Sequence, residues 1–313
     1  MALDGRNAVT NPTARMKIVG YTAGVVTGVS YGFNPLFGVP VLSRGIHVDT
    51  VLFYRYGFAV LILALMMLAG HRNLRLSARQ AVMMVVMGTL YTCSSFFLFA
   101  AYNYIPSGIA TTIVFLYPVV VAIIMMFLRV FPTWQTWVSI LTTFVGVVFL
   151  CRYDPSEPIM WKGLVLAFLS GFSYAFYIVL INNSSTVKAI RSDVLTFYTL
   201  VVGLFLFAGH AAITGTSIPE ESSMLCEHPV SWVNLLLLAV VPTVISTTTL
   251  AVSTRNIGAT KASVMGVFEP VTAILTGILA FGEVFTVNVA VGIVLSMAAI
   301  VFMILSGRDR TSQ

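Results

Sequence analysis

Charge is what this chain has least of. Only 9% of its 313 residues are Asp, Glu, Lys or Arg, against about a quarter in an ordinary soluble domain. That deficit excludes a disordered polyelectrolyte and a typical soluble enzyme. Cysteine is scarce too. Cys93, Cys151 and Cys226 give no even disulfide framework and no metal-binding spacing. The four histidines (His47, His71, His210 and His228) are scattered, so neither a metal nor a cofactor is expected. There is no phosphate-cradling glycine loop, and no polar stretch long enough to fold alone, which argues against an ATP-driven pump. What remains is apolar. Hydrophobic residues make up 58% of the chain and its mean hydropathy is +0.95.

A helix needs roughly 20 mostly apolar residues to cross a bilayer core. Ten stretches approach that length: 18–40, 50–69, 81–103, 107–128, 133–151, 163–183, 194–214, 231–253, 262–280 and 285–305. Together they take 212 of the 313 residues. They are too long for barrel strands and do not alternate, so an all-α membrane protein is expected. The polar segment 1–17 precedes a first apolar stretch too long for a cleaved signal.

Lys and Arg set the orientation. With the N-terminus inside, 13 of them fall in inner segments and 3 in outer loops (Arg44, Arg152 and Lys162), while Arg55 lies within a span. Both termini, 1–17 and 306–313, are therefore expected in the cytoplasm of a cell with an inner membrane. The net charge of +6 is this bias, spread along the chain, and implies no nucleic-acid partner.

The chain also repeats itself. Gly28-Val29-Ser30-Tyr31-Gly32-Phe33 returns 143 residues later as Gly171-Phe172-Ser173-Tyr174-Ala175-Phe176, and Gly20 pairs with Gly163. Asp49 and Phe53-Tyr54 return at an offset of 144 as Asp193 and Phe197-Tyr198. Ile105, Ala110 and Tyr117-Pro118-Val119 return at 152 as Ile257, Ala262 and Glu269-Pro270-Val271. Three matched segments in one order predict two homologous five-helix halves, 18–151 and 163–305. Because five is odd, the second half is expected upside down, the inverted repeat of secondary transporters whose site lies near the midplane.

On these residues the chain resembles the EamA-type, ten-helix branch of the drug/metabolite transporter superfamily. Its sharpest likeness is Glu269-Pro270 followed by Gly282-Glu283. The first half keeps Pro118 but carries Arg129-Val130-Phe131 where the second has Gly-Glu. The resemblance implies a basket of helices 1–4 and 6–9 around a central cavity, with helices 5 and 10 peripheral; a homodimer would form through helices 5 and 10. It implies export of amino acids or other small metabolites. The alternative is a translocase of lipids or lipid carriers on the same fold.

The candidate path follows from depth and chemistry. Glu269 and Arg55 are the only charges inside the ten stretches. A charge at that depth costs at least ~2.5–3.5 kcal/mol and should face a cavity or a partner. Glu269 is the leading candidate for holding a substrate ammonium or carrying a proton. Arg55, about five residues into its span, could snorkel toward the outer interface and line a vestibule there, or meet a substrate carboxylate. Ser30, Ser173 and Tyr117 share Glu269's depth, and Ser94, Ser246 and Thr247 lie near the centres of helices 3 and 8. Tyr31, Asn34, Tyr91, Tyr174 and Tyr177 add aromatic and amide lining. Pro35, Pro118, Pro242 and Pro270 remove helix hydrogen bonds within spans. Gly28-Val29-Ser30-Tyr31-Gly32 matches a nucleophile elbow in letters, but it lies mid-helix without a nearby His, and no catalysis is expected.

Overall fold

The computed structural model describes residues 14–71, 74–105, 107–150, 160–281 and 286–306. Among them every regular element is helical: α1 (Ala14–Tyr31), α2 (Asn34–Leu42), α3 (Val48–Ala69), α4 (Ala78–Ala101), α5 (Ser107–Val114), α6 (Tyr117–Phe127), α7 (Trp134–Leu150) and α8 (Trp161–Asn183). They are followed by α9 (Ser185–Lys188), α10 (Ser192–Thr214), α11 (Ile218–Cys226), α12 (Pro229–Ala239), a π-turn (Val240–Ile245), α13 (Ser246–Ile257), α14 (Ala259–Met265), α15 (Phe268–Phe281) and α16 (Val287–Ser306). Among the described residues six stretches are long and apolar enough to cross a membrane: Arg15–Leu42, Val48–Ala69, Ala78–Ala101, Trp161–Asn183, Ser192–Thr214 and Pro229–Ile257. The other expected stretches appear as α5 with α6, α7, α14 with α15, and α16. Cys151, Gly282 and Glu283 lie outside the described residues.

Polarity is distributed as a bilayer demands. Leu61, Leu65, Val82, Phe127, Phe205, Leu279 and Val294 are exposed, while Thr50, Ser139, Ser170, Thr196 and Thr199 are fully buried. With lipid outside there is no penalty for an apolar exterior, and the polar side chains turn inward.

Prolines explain where the rods break. Proline has no N–H and clashes with the preceding turn, so it is tolerated in a first turn. Pro35 opens α2, Pro118 opens α6 and Pro270 lies in the first turn of α15. Pro242 stands in the π-turn. The repeat supplies the control. Ile178 and Leu90 stand where Pro35 and Pro242 have their counterparts, and α8 and α4 run unbroken.

The two halves pack crosswise. α1 lies on α13 as α8 lies on α4; α1 meets α15 as α8 meets α6; α3 meets α12 as α10 meets α4. The match extends to atoms. A Cβ on Gly20 would lie 2.5 Å from Ile257 Cγ2, and one on Gly163 would lie 2.7 Å from Ile105 Cγ2. These are the partners that the offsets 143 and 152 relate. Small residues here let backbones approach closely.

Candidate functional site

The interior is built where broken helices meet unbroken ones. Gly28 of α1 faces the gap between α14 and α15, with Phe268 Cβ, Met265 O and Glu269 N all within 3.2 Å of where its Cβ would stand. Gly171 of α8 faces the gap between α5 and α6, with Val114 O at 2.7 Å. Any side chain at either glycine would collide with backbone.

Glu269 sits in the first turn of α15, where the helix N-terminus favours negative charge. It is buried, with 7% of its surface accessible. Among the described residues no hydrogen bond or ion pair ends on its carboxylate. Tyr31, Tyr91, Tyr102, Tyr117 and Tyr174 lie within electrostatic range of it. Four of these rings, with Tyr177, form a connected set. Tyr117 meets Tyr174 edge-on at 5.0 Å, Tyr174 stacks on Tyr31 at 6.1 Å and on Tyr177 at 6.4 Å, and Tyr177 meets Tyr91 at 5.2 Å. All five rings are buried. Phe115, Pro118, Val119, Ile140, Phe144 and Val264, with Thr143, line an apolar crevice too narrow to admit a water molecule.

Arg55 does not snorkel. It is fully buried, and its guanidinium lies 5.9 Å from the Tyr56 ring centre and 5.4 Å from that of Phe99. The cause is in the π-turn. Pro242 has no N–H to offer the Leu238 carbonyl, four residues back. The Thr243 hydroxyl donates to that carbonyl instead, at 2.8 Å. Arg55 Nε in turn donates to Thr243 Oγ1 at 2.6 Å, and Arg55 Nη2 donates to the Pro242 carbonyl at 3.4 Å. Arg55 Nη1 keeps no partner among the described residues. An expected path to solvent is thus replaced by a fork that holds an irregular turn.

The hydroxyl candidates divide. Ser30 donates to the Val26 carbonyl at 2.6 Å, a bond within its own helix. Ser170 Oγ donates to the Ser94 carbonyl at 2.8 Å, and Ser246 Oγ donates to that of Thr27 at 3.3 Å. The offsets map one pair onto the other, so Ser94 and Ser246 join helices as symmetric counterparts. Thr247 Oγ1 lies 2.9 Å from the Tyr91 hydroxyl, and Ser173 is half-buried on α8. Tyr117 donates to the Ser263 carbonyl at 3.0 Å, and its hydroxyl also blocks any Cβ at Gly266. Asn34, at the start of α2, is buried with both amide atoms unpartnered. Its repeat counterpart is Tyr177.

Glu269, Tyr31, Tyr91, Tyr117, Tyr174 and Tyr177 therefore share one interior layer. Arg55 stands within electrostatic range of Tyr31, Tyr91 and Tyr102. Sequence reasoning missed Tyr56, Phe99, Tyr102 and Ser263. Tyr56 and Phe99 flank the buried charge, a role with no motif. Ser263 contributes a carbonyl, which no sequence pattern distinguishes.

A family model described as the EamA-like transporter family matches the chain twice, over residues 18–152 and 161–305. Among curated proteins none matches the chain. Of the solved structures, 29 chains match. One, titled only as a crystal structure of a protein, superposes with a TM-score of 0.72 at 17% identity, covering 94% of this chain and 99% of its own. That likeness is one of fold.

Proposed function

The chain belongs to the EamA-like transporter family, and from that premise we propose that it is a secondary exporter of small organic solutes such as amino acids, working by alternating access. In this reading the chain makes ten crossings of a cell's inner membrane. Its two five-helix halves have opposite orientation and both termini are cytoplasmic. The crosswise packing of repeat-related helices supports it, because two halves exchanging equivalent contacts can rock about their shared seam.

One observation carries the assignment of the site: Glu269 is a buried acid with no hydrogen-bond or ion-pair partner among the described residues, set at a helix break among tyrosines. An unpaired carboxylate at such a place is costly to keep without a role. It suits a substrate ammonium or a transported proton. Arg55, whose Nη1 and its two N–H groups have no partner among the described residues, suits the carboxylate end of a zwitterion. A site with one acid and one guanidinium disfavours phosphates and nucleotide sugars, which call for several cations.

The test is a panel of amino acids and related amines in proteoliposomes, with and without a pH gradient. Glu269→Gln should abolish most transport while leaving the protein monodisperse. Wild-type rates from that variant would remove Glu269 from the mechanism. Rates indifferent to the gradient would reject proton coupling.

A further inference from the structure

At the end of the bundle where α2 passes to α3, polar contacts join the first half to the second. The His47 N–H donates to Glu221 Oε2 at 3.0 Å, and the His47 ring pairs with Glu221 Oε1 through Nδ1. His210 Nδ1 lies 2.9 Å from Asp49 Oδ1. The Arg44 guanidinium donates to the Ser231 hydroxyl, and the hydroxyls of Tyr54 and Ser222 are bonded. In both imidazole pairs the carboxylate is sheltered (side chains 10% and 8% exposed) and the imidazole is wet (68% and 45%). Beneath lie Tyr54 edge-on to Trp232 at 4.9 Å and Phe96 against His210 at 4.9 Å.

The segment that supplies Glu221 and Ser222 has no equivalent helix in the repeat. Between α10 and α12 the chain runs through 215–228 and forms α11, whereas the link between α3 and α4 is only 70–77. α11 is therefore an addition to one half, and its Glu221 and Ser222 bind groups of the other.

We propose that α11 is a strap closing the two halves at this face, fastened by His47–Glu221 and Asp49–His210, and that both pairs part each time the protein opens there. This rests on the transporter reading above. A sheltered carboxylate that loses its imidazole is left uncompensated, so opening must let water reach Glu221 and Asp49. Closure of this face is then set by contacts remote from Glu269.

Two readouts test the strap in a background with Cys93, Cys151 and Cys226 changed to Ser. In the first, H47C/E221C is bridged by a short thiol cross-linker. Transport should fall to background and return on reduction. The second needs no substrate, so it remains valid if the transport reading fails. Thr50→Cys, buried beside Asp49, is labelled with an impermeant maleimide. Adding Glu221→Gln should speed labelling about tenfold, the population shift expected from losing one charge-assisted hydrogen bond. A bridged protein that transports at full rate, or labelling unchanged by Glu221→Gln, overturns the strap.

Discussion

A methyl group added to Gly28 should destabilise the protein, whereas one added to Gly209 should stabilise it. At Gly28 the new Cβ would stand 2.7 Å from Phe268 Cβ and 3.1 Å from the Met265 carbonyl oxygen. Carbon atoms in good contact lie about 3.5–4.0 Å apart. The obstacles are backbone, or rigidly attached to it, so α1 must retreat from α15 and cannot be relieved by a rotamer change. Overpacking of this kind costs ~1–3 kcal/mol. At Gly209 no atom lies within 4 Å, and the residue is inside α10. There the helix gains the propensity difference between Gly and Ala, up to ~1 kcal/mol. The two variants add the same atoms, so they differ only in surroundings. Unfolding midpoints in mixed micelles of rising SDS fraction measure both. By the repeat, Gly171→Ala meets the Val114 carbonyl and should resemble Gly28→Ala. If the Gly28 and Gly209 variants moved the midpoint in the same direction, the close seam between α1 and α15 would be refuted.

Four further outcomes follow from the same coordinates. Gly266→Ala collides with the Tyr117 hydroxyl, so Tyr117→Phe should restore part of the stability lost, which a double-mutant cycle reads. A cycle on Tyr91→Phe and Thr247→Val should give a coupling near ~0.6 kcal/mol, ordinary for an interhelical bond in a membrane. Arg129 ends α6 at φ 61°, a left-handed conformation that costs a side-chain-bearing residue roughly 1–2 kcal/mol. Arg129→Gly should therefore raise the unfolding midpoint. Arg55→Lys cannot reproduce the fork that meets Thr243 and Pro242, and should lose about 1.5–3 kcal/mol in the same assay.

Much of the architecture was legible because repetition leaves a record that composition does not. The offset joining Ile105 to Ile257 anticipates the equivalent contacts at Gly163 and Gly20. The prolines likewise marked where rods break, since a missing N–H is a local property. The interior was less legible. Ser30 and Ser94 have the same side chain, yet one bonds within its helix and the other joins a neighbour; the choice depends on which face of each helix is covered. Arg55 was misplaced because depth along a helix says nothing about a carbonyl freed on another helix by Pro242. Nor does the alphabet say which rings will pack on one another, as Tyr174 does on Tyr31, Tyr117 and Tyr177.

The exchanged contacts between halves bear on how the molecule is made. Neither repeat owns a complete interior: α1 has its closest neighbour in α13, and α4 has its own in α8. A ribosome that has released only the first repeat has delivered surfaces whose mates are still untranslated. Biogenesis must therefore hold that intermediate in lipid until the rest arrives, and a truncated half expressed by itself should be cleared by quality-control proteases, whereas the two fragments made together should assemble.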